Sequence, residues 1–164
     1  MLTGLAPLVD ANTRLLVLGS FPGVASLAAQ QYYGHPQNHF WPLMSAIFSD
    51  FDAKSPSSPR VDCLPSYQIR SKWLLAHGVG LWDVYASCER EGSLVNDFSA
   101  LRQHCPKLVA IAHNGGESFK HARHTQALGL AVHKLPSTSP ANASWRFERK
   151  LSSWREVFQQ HGLV

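Results

Sequence analysis

The sequence is poor in cysteine, and its few thiols are far apart. Its 164 residues contain only Cys63, Cys88 and Cys105, with no Cys-x-x-Cys pair. Three isolated thiols cannot supply the four ligands of an iron–sulfur cluster or of an all-cysteine zinc site. We therefore expect free, mostly buried thiols in a reducing compartment.

Long apolar runs and dense blocks of one charge are also missing. No apolar stretch approaches the roughly 18 residues of a membrane span, and the N-terminus has no basic segment followed by a long apolar one. A cytoplasmic protein without a membrane partner is expected. The net charge of +4 and a pI of about 9.2 suit a phosphate-bearing partner. Without a dense Lys/Arg block, contact with such a partner would rest on loops and helix ends.

What the chain does contain is an alternation of strand and helix patterns. Apolar, strand-like runs occur at Arg14–Gly19, Val79–Val84, Leu108–Ala112 and Ala131–Leu135. Helical patterns occur at Asn38–Phe48, Tyr67–His77, Asp97–His104, Glu117–Leu128 and roughly Ser144–Gln160. This alternation predicts a three-layer α/β/α sandwich around a central, mostly parallel sheet of about four strands. One domain over residues 1–164 is expected, with Asp50–Ser66 as a proline-rich surface loop.

Two loops follow strands of this predicted sheet and carry unusual residues. After the first strand come Gly19–Gly23 (Gly-Ser-Phe-Pro-Gly) and then Tyr32–Trp41 (Tyr-Tyr-Gly-His-Pro-Gln-Asn-His-Phe-Trp). After the last strand comes Leu135–Ala143 (Leu-Pro-Ser-Thr-Ser-Pro-Ala-Asn-Ala). Open α/β sheets bind ligands at the carboxyl ends of their strands, so both loops are placed at a candidate site.

These motifs resemble those of the uracil-DNA glycosylase superfamily. Mismatch-specific uracil-DNA glycosylases have a Gly-x-Asn-Pro-Gly loop followed by His-Pro-x-Asn-x-Phe-Trp. Here Ser20 and Phe21 precede Pro22, and the Asn of the first loop is absent. That departure, together with four further segments, is closer to the hypoxanthine-DNA glycosylase branch; the segments are Leu81–Val84, Cys88–Leu94, Asn114–Gly116 and Leu135–Ala143. The resemblance covers roughly residues 14 to 158.

The resemblance implies base excision from single- or double-stranded DNA. The enzyme would flip a deaminated base out of the helix and hydrolyse its N-glycosidic bond, leaving an abasic site. The base would be hypoxanthine, with xanthine or uracil as further candidates. Neither a metal nor an organic cofactor is implied, and a monomer is expected from family and size. The motifs contain no evident Lys nucleophile, so lyase chemistry through a Schiff base is not predicted.

Two side chains are candidates to position the attacking water. An amide can orient water by hydrogen bonding, and Asn38 takes this role because the usual Asn of the first loop is missing. The alternative is that Asn38 only caps the following helix. Ser20, beside the vacated motif position, could hold the same water through its hydroxyl, or it could be a plain turn serine.

Asp83 is the candidate base reader. It ends an apolar strand at the predicted ligand edge, and an ionised carboxylate only accepts hydrogen bonds. Hypoxanthine, xanthine and uracil present a ring N–H beside a carbonyl, whereas adenine and cytosine present a ring acceptor there. A buried acceptor facing an acceptor costs about 1–3 kcal/mol, so Asp83 would select deaminated bases. An ionised Asp83 would also oppose negative charge on the leaving base, and a bond to loop backbone is the alternative role.

The remaining candidates are base-stacking and DNA-contacting residues. Phe21 and Tyr33 could stack on the flipped base, and Asn114, before two glycines, could approach base or phosphate. Core packing is expected for Tyr32, Phe40 and Trp41. The DNA-contacting candidates are Pro22, Gly23, Ser137, Thr138, Ser139, Pro140, Ala141 and Asn142. In the superfamily the second loop fills the gap left by the flipped base, a role for Ala141 or Asn142.

His121 and His124 could bind a metal, although a solvated basic face is the preferred interpretation.

Three other functions are alternatives for this sequence. A mismatch-specific uracil-DNA glycosylase would keep the fold and change the base. A DNA-damage-binding protein would keep the fold and lack catalysis. A serine hydrolase using Ser20 or Ser137 is disfavoured because neither residue lies in Gly-x-Ser-x-Gly.

Overall fold

The fold is known from a computed structural model, which describes residues 2–52, 66–89 and 92–164. Its strands are β1 (Leu2–Thr3), β2 (Leu15–Gly19), β3 (Val79–Asp83), β4 (Tyr85–Glu89), β5 (Gly92–Val95), β6 (Ala110–Asn114) and β7 (Ala131–Leu135). Its helices are α1 (Val24–Ala29), α2 (Phe40–Asp52), α3 (Tyr67–Ala76), α4 (Leu101–His104), α5 (Gly116–Phe119), α6 (Ala122–Gln126) and α7 (Phe147–Gln160). None of the described helices is long and apolar enough to cross a bilayer.

The central sheet has four parallel strands in the order β3-β2-β6-β7. Strand β2 runs through its middle and is buried at every position. The register pairs Gly19 with Asp83 across β2 and β3, and Asn114 with Leu135 across β6 and β7. The carboxyl ends of all four strands therefore meet at one edge, and the strand order reverses beside β2, where open α/β sheets bind ligands.

Alternating side chains of β2 pack into two separate cores, one on each face of the sheet. Leu15 and Val17 pack with residues of α2, α3 and α7, among them Met44, Leu74 and Trp154. Leu16 and Leu18 pack on the other face with a second cluster built around Phe98 and Leu101. A strand buried on both faces reads as a continuous apolar run, and this arrangement confirms the predicted three-layer α/β/α fold.

Several predicted boundaries were wrong for local reasons. The helix predicted from Asn38 to Phe48 is α2, which begins at Phe40 and continues to Asp52. Asn38 lies two residues before this start, and its Oδ1 accepts a hydrogen bond from Phe40 N at 2.9 Å in an Asx-turn that leads into the helix. At the other end of α2, Asp50–Asp52 are helical rather than part of the predicted loop. Residues 53–65 of that loop lie outside the described part of the chain.

Other differences concern segments where a regular pattern is interrupted. The helix predicted over Glu117–Leu128 is two short helices, α5 and α6, which separate around His121 with its backbone at φ −105°, ψ 18°. The helix predicted over Asp97–His104 is reduced to α4 because the Asp97 carboxylate first accepts from Ser99 N in a turn. The short helix α1 was not predicted.

A second, antiparallel sheet was also missed. It has the order β1-β4-β5 and follows directly from the end of β3. Its strands are two to five residues long, and β4 contains a register shift between Tyr85 and Ser87. Such short, irregular strands leave a weak period-two pattern, because a bulge moves side chains to the opposite face.

A buried histidine lies in the layer of short helices. His113 on β6 is fully buried, with Nδ1 2.7 Å from Ser118 Oγ and Nε2 2.9 Å from Thr125 Oγ1. Ser118 Oγ also donates to Leu18 O at 2.8 Å, so the ring ties α5 and α6 to the central strands. Burial lowers the pKa of His113 from 6.5 to about 4.

This histidine makes stability depend on pH. The unfolded ring binds a proton near pH 6.5, whereas the folded ring resists it down to about pH 4. The stabilisation from the neutral ring is therefore complete above pH 6.5 and is lost as the pH falls towards 4, by about 2 kcal/mol at pH 5. We expect His113→Gln to remove this loss in urea denaturation at pH 7.5 and 5.0. His104→Gln, at an exposed ring on α4, should retain it; equal pH dependence in both variants would contradict the assignment.

Candidate active site

A cavity opens at the carboxyl edge of the parallel sheet, between the loops that follow β2 and β7. Its volume is about 290 Å³, close to the lower limit of small-molecule pockets. It is lined by Gly19, Ser20, Phe21, Pro22, Gly23, Ser26, Tyr32, Tyr33, His35, Asn38, Asp83, Asn114, Ser137, Thr138, Ser139 and Pro140. The structure thus brings together every candidate catalytic, base-binding and DNA-contacting residue except Ala141 and Asn142. Those two line a neighbouring groove beside Ser137 and Ser139.

Asp83 is the charged group of this cavity. Its side chain is only 5% exposed, and its buried Oδ2 has no hydrogen-bond partner among the described residues. Burial without a compensating partner disfavours the charged form, which raises the pKa of the Asp83 carboxyl from 3.8 to about 7. Near neutral pH the group therefore exists in both protonation states. The neutral state has an O–H donor and a C=O acceptor side by side.

The carboxyl is placed by its strand and by the glycine across from it. Asp83 ends β3, and its own carbonyl accepts a hydrogen bond from Asn96 Nδ2 at 2.8 Å. A Cβ at Gly19 would lie 2.5 Å from Asp83 Oδ1, so only glycine leaves room for the carboxyl in this position. Gly19 was not singled out from the sequence as a site residue, although it opens the Gly-Ser-Phe-Pro-Gly motif.

Tyr33 forms one wall of the cavity. Its ring stacks on Phe40 with centroids 4.2 Å apart and an interplanar angle of 27°. Its backbone adopts a left-handed conformation, with φ +56°, which is uncommon for a residue with a side chain. Burial, and then the nearby Asp83, raises the pKa of its hydroxyl. Tyr32 and Phe40 are buried core residues, as is Trp41, in agreement with the prediction for all three.

The Asn114 amide connects the two loops. Its Nδ2 donates to Tyr33 Oη at 3.1 Å and to Thr138 Oγ1 at 3.0 Å, while Oδ1 accepts from Thr138 N at 3.0 Å. Both amide hydrogens are thereby used within the protein. This geometry favours a positioning role for Asn114 over direct contact with a base, and base binding by Asn114 stays a prediction.

The second loop is held by hydrogen bonds between its own residues and by contacts with His39 and Gly115. Thr138 is 1% exposed and its carbonyl accepts from His39 N, so its geometry favours positioning rather than direct phosphate contact. Ser137 Oγ accepts from Ser139 N, and Asn142 Nδ2 donates to Ser137 O. Gly115 lies beneath the loop with φ +96°, and a Cβ there would meet Ser137 Cβ at 3.0 Å. Ser139 and Pro140 stay partly accessible and Ala141 is exposed, so this edge of the loop is available to a partner.

The two candidate water-binding residues line the same cavity. Asn38 is half-buried, and its Oδ1 is oriented by the hydrogen bond from Phe40 N. This interaction and an active role are compatible, because the interaction leaves the Nδ2 group and a second Oδ1 lone pair for a ligand. Ser20 is half-buried, and its carbonyl accepts from Tyr85 N at 3.0 Å, which fixes the loop rather than the hydroxyl.

One lining residue carried no signal in the sequence. Ser26 on α1 is buried, and its Oγ accepts from Gly34 N at 3.0 Å, joining α1 to the segment that carries Tyr33.

The candidate metal ligand His121 lies outside the cavity. Its Nε2 is 2.8 Å from Tyr85 Oη, and no group of three or more metal-ligating side chains occurs in the described ranges.

The profile of the Uracil DNA glycosylase superfamily matches residues 6–159, and the chain belongs to that superfamily of DNA glycosylases.

Two relatives and one solved structure are similar to this chain over nearly its whole length. The chain is 36% identical to a hypoxanthine DNA glycosylase of Methanosarcina barkeri over 165 aligned positions, covering 96% of this chain and 98% of the relative. It is 34% identical to a hypoxanthine DNA glycosylase of Methanosarcina acetivorans, with 95% and 97% covered. The solution NMR structure of a candidate uracil DNA glycosylase from Methanosarcina acetivorans superposes with a TM-score of 0.81 at 33% identity, covering 97% of each chain. The predicted superfamily is confirmed.

The contact between Gly19 and Asp83 can be tested by adding one methyl group. Gly19→Ala should displace the Asp83 carboxyl, lowering base release at least about 10-fold while costing about 1 kcal/mol of stability. Gly23→Ala is the control, because a Cβ at Gly23 has open space around it, and its stability should change by less than about 0.5 kcal/mol. Base release and urea denaturation measure the two effects. Unimpaired release by Gly19→Ala would show that the carboxyl position is not required.

Proposed function

We propose that this protein is a monofunctional glycosylase that removes hypoxanthine from DNA by hydrolysis of the N-glycosidic bond, with xanthine and uracil as further substrates. The observation that carries the proposal is Asp83, a buried carboxyl with an unpaired oxygen in a cavity at the ligand edge of the sheet. The names of the two Methanosarcina relatives support hypoxanthine as the main base.

A carboxyl in this environment suits a deaminated base. Hypoxanthine, xanthine and uracil each present a ring N–H next to a carbonyl oxygen. The neutral acid offers the complementary pair, since its C=O accepts from the ring N–H and its O–H donates to the carbonyl oxygen. Adenine and cytosine present a ring acceptor and an amino group, which the neutral acid can also pair with, whereas the ionised carboxylate would face the ring acceptor with an acceptor of its own. That mismatch of buried polar groups costs about 1–3 kcal/mol, so the ionised carboxylate would select the deaminated base, while the neutral acid would bind it without selecting it.

The neutral form of Asp83 also avoids repulsion between a carboxylate and the departing base. Negative charge develops on the base as the bond to the sugar breaks, and an adjacent carboxylate would oppose it. A protonated Asp83 would instead donate a hydrogen bond to the carbonyl oxygen on which that charge accumulates, stabilising the leaving group. Its raised pKa makes this form available near neutral pH.

The water that attacks the sugar is assigned to Asn38, with Ser20 as the alternative. Asn38 lies on the same cavity as Asp83, and its amide is oriented by Phe40 N. An oriented amide positions water without acting as a strong base, which suffices when the sugar already carries positive charge. Phe21 and Tyr33 provide aromatic surface beside the base.

Access to the cavity requires the base to leave the helix. Pro22 and Gly23 in the first loop, with Ser137, Ser139 and Pro140 in the second, lie around the cavity and would contact the strand on either side of the flipped nucleotide. Exposed Ala141 is the better placed of the two candidates to fill the vacated space, because Asn142 is bonded to the loop through Ser137 O.

Base release from defined oligonucleotides tests the function. Labelled DNA carrying one hypoxanthine, xanthine, uracil or normal base is incubated with protein, and alkali then cleaves any abasic site. Wild type should release hypoxanthine, and Asn38→Ala should lower the single-turnover rate about 100-fold. Asn12→Ala, at an exposed amide outside the cavity, should match wild type.

Each alternative has its own outcome in this assay. Release of uracil alone would indicate a mismatch-type uracil glycosylase, and lesion binding without release would indicate a damage-binding protein. Full activity in Asn38→Ala would transfer the water to Ser20.

The protonation state of Asp83 is tested by pH. If the neutral acid reads the base, hypoxanthine release by wild type should fall as the pH rises through about 7, where the proton is lost. Asp83→Asn retains one donor and one acceptor without titrating, so it should stay active and lose this pH dependence. An inactive Asp83→Asn variant at every pH would show that the ionised carboxylate is required instead.

The same variant has an independent effect on stability. Because the folded pKa is raised, the buried carboxyl favours the folded state less and less as the pH rises from about 4 to above 7. Asp83→Asn should therefore gain stability over wild type at pH 8.5, by up to about 4 kcal/mol. Near pH 4 the two proteins should be similar in urea denaturation.

A further inference from the structure

A buried lysine with no acidic partner lies next to the active site. Lys150, in the first turn of α7, is 1% exposed, and its Nζ lies 3.2 Å from His39 Nδ1. Among the described residues no carboxylate forms an ion pair with it. A lysine buried without a counter-charge is destabilising, and burial accordingly lowers the pKa of Lys150. Such a group is explained if an anion approaches it in the functional complex.

Lys150 also determines the state of the neighbouring histidine. Because an ammonium group can only donate, His39 Nδ1 must accept, and the ring proton resides on Nε2. Burial, and then the positive charge of Lys150, lowers the pKa of His39 and keeps the ring neutral. The residue thus has one N–H donor remaining. Its backbone N–H already binds Thr138 O, which attaches it to the second loop.

Both residues line a groove that borders the base cavity. The groove has a volume of about 680 Å³, and Asn38, Ser139 and Pro140 line both the groove and the cavity. Arg146, exposed, stands at the groove immediately before α7, and Glu148 carries the only acidic side chain among the described lining residues. No side chain caps the α7 N-terminus, so the N–H groups of its first turn add positive potential.

We propose that this groove binds a backbone phosphate of the strand that carries the flipped nucleotide. Lys150 supplies a desolvated positive charge, His39 Nε2–H a hydrogen bond, and Arg146 an exposed contact at the rim. The proposal rests on the proposed function and adds a subsite to it. Because Asn38 lies between groove and cavity, a phosphate held here would fix the sugar relative to the amide that positions the water.

Replacing the lysine by methionine removes the charge and keeps an unbranched side chain of similar length. We expect Lys150→Met to bind a duplex with one uncleavable 2′-fluoro-deoxyinosine about 10-fold more weakly than wild type at low salt. The slope of log affinity against log salt should shrink by about 1, as for one lost phosphate contact. Lys72→Met, at an exposed lysine on α3 outside the groove, should change both quantities far less. Unchanged affinity and slope in Lys150→Met would overturn the proposal.

A scan of the DNA backbone locates the contact. Single methylphosphonates, which are uncharged, are placed at each linkage near the lesion. One position should weaken wild-type binding about 10-fold and leave Lys150→Met unaffected. Arg146→Gln, at an exposed site where folding is not at risk, should reduce the effect at the same position. Sensitivity of Lys150→Met equal to wild type at every linkage would refute a phosphate subsite.

These measurements separate the subsite from the proposed function. Binding and salt dependence are read without base release, so a chain that shows the expected pattern but releases no base would disprove the function and retain the subsite. Hypoxanthine release with no change in salt slope for Lys150→Met would disprove the subsite and retain the function.

Discussion

The parallel register of β2 with its neighbours is the constraint on which the rest of the structure depends. Because β2 is buried on both faces, its alternating side chains commit it to two cores, and a shift by one residue would exchange them. That register places Gly19 beside Asp83. The same strand fixes β6, whose last residue, Asn114, reaches both loops. Active-site geometry is thereby a consequence of how the interior packs.

Polar groups near this edge fall into two kinds. Asn114 and Thr138 satisfy each other's hydrogen bonds and hold the loops together, as buried polar groups in folded proteins generally do. Asp83 does not follow that rule, and Lys150 follows it only through a neutral histidine. One has a buried oxygen without a partner and the other a buried charge without an acid among the described residues. Both carry a cost in stability, and Asp83 lines the cavity while Lys150 lines the groove beside it. Unsatisfied groups of this kind concentrate where a ligand completes the interactions.

Much of the fold could be read from the chain because its strongest patterns are local. The apolar run of β2 and the Gly, Pro and amide residues that follow it have few other interpretations, and β7 was predicted with its observed bounds. The helix predicted from Glu117 to Leu128 failed because the turn at His121 depends on tertiary contacts, including the one with Tyr85. The antiparallel sheet failed because strands of two to five residues carry little periodicity.

By itself the sequence determined the four strands of the parallel sheet, the α/β class, and the two motif loops that identify the superfamily, because each depends on residues close together in the chain. Only the tertiary structure decided which ionisable side chains are buried and what lies beside them. Asp83 and Gly19 are 64 positions apart, and Lys150 and His39 are 111 apart. Nothing local to either member indicates its partner or its burial. Burial shifts the pKa of Asp83 and of Lys150, and burial is a property of the packed molecule.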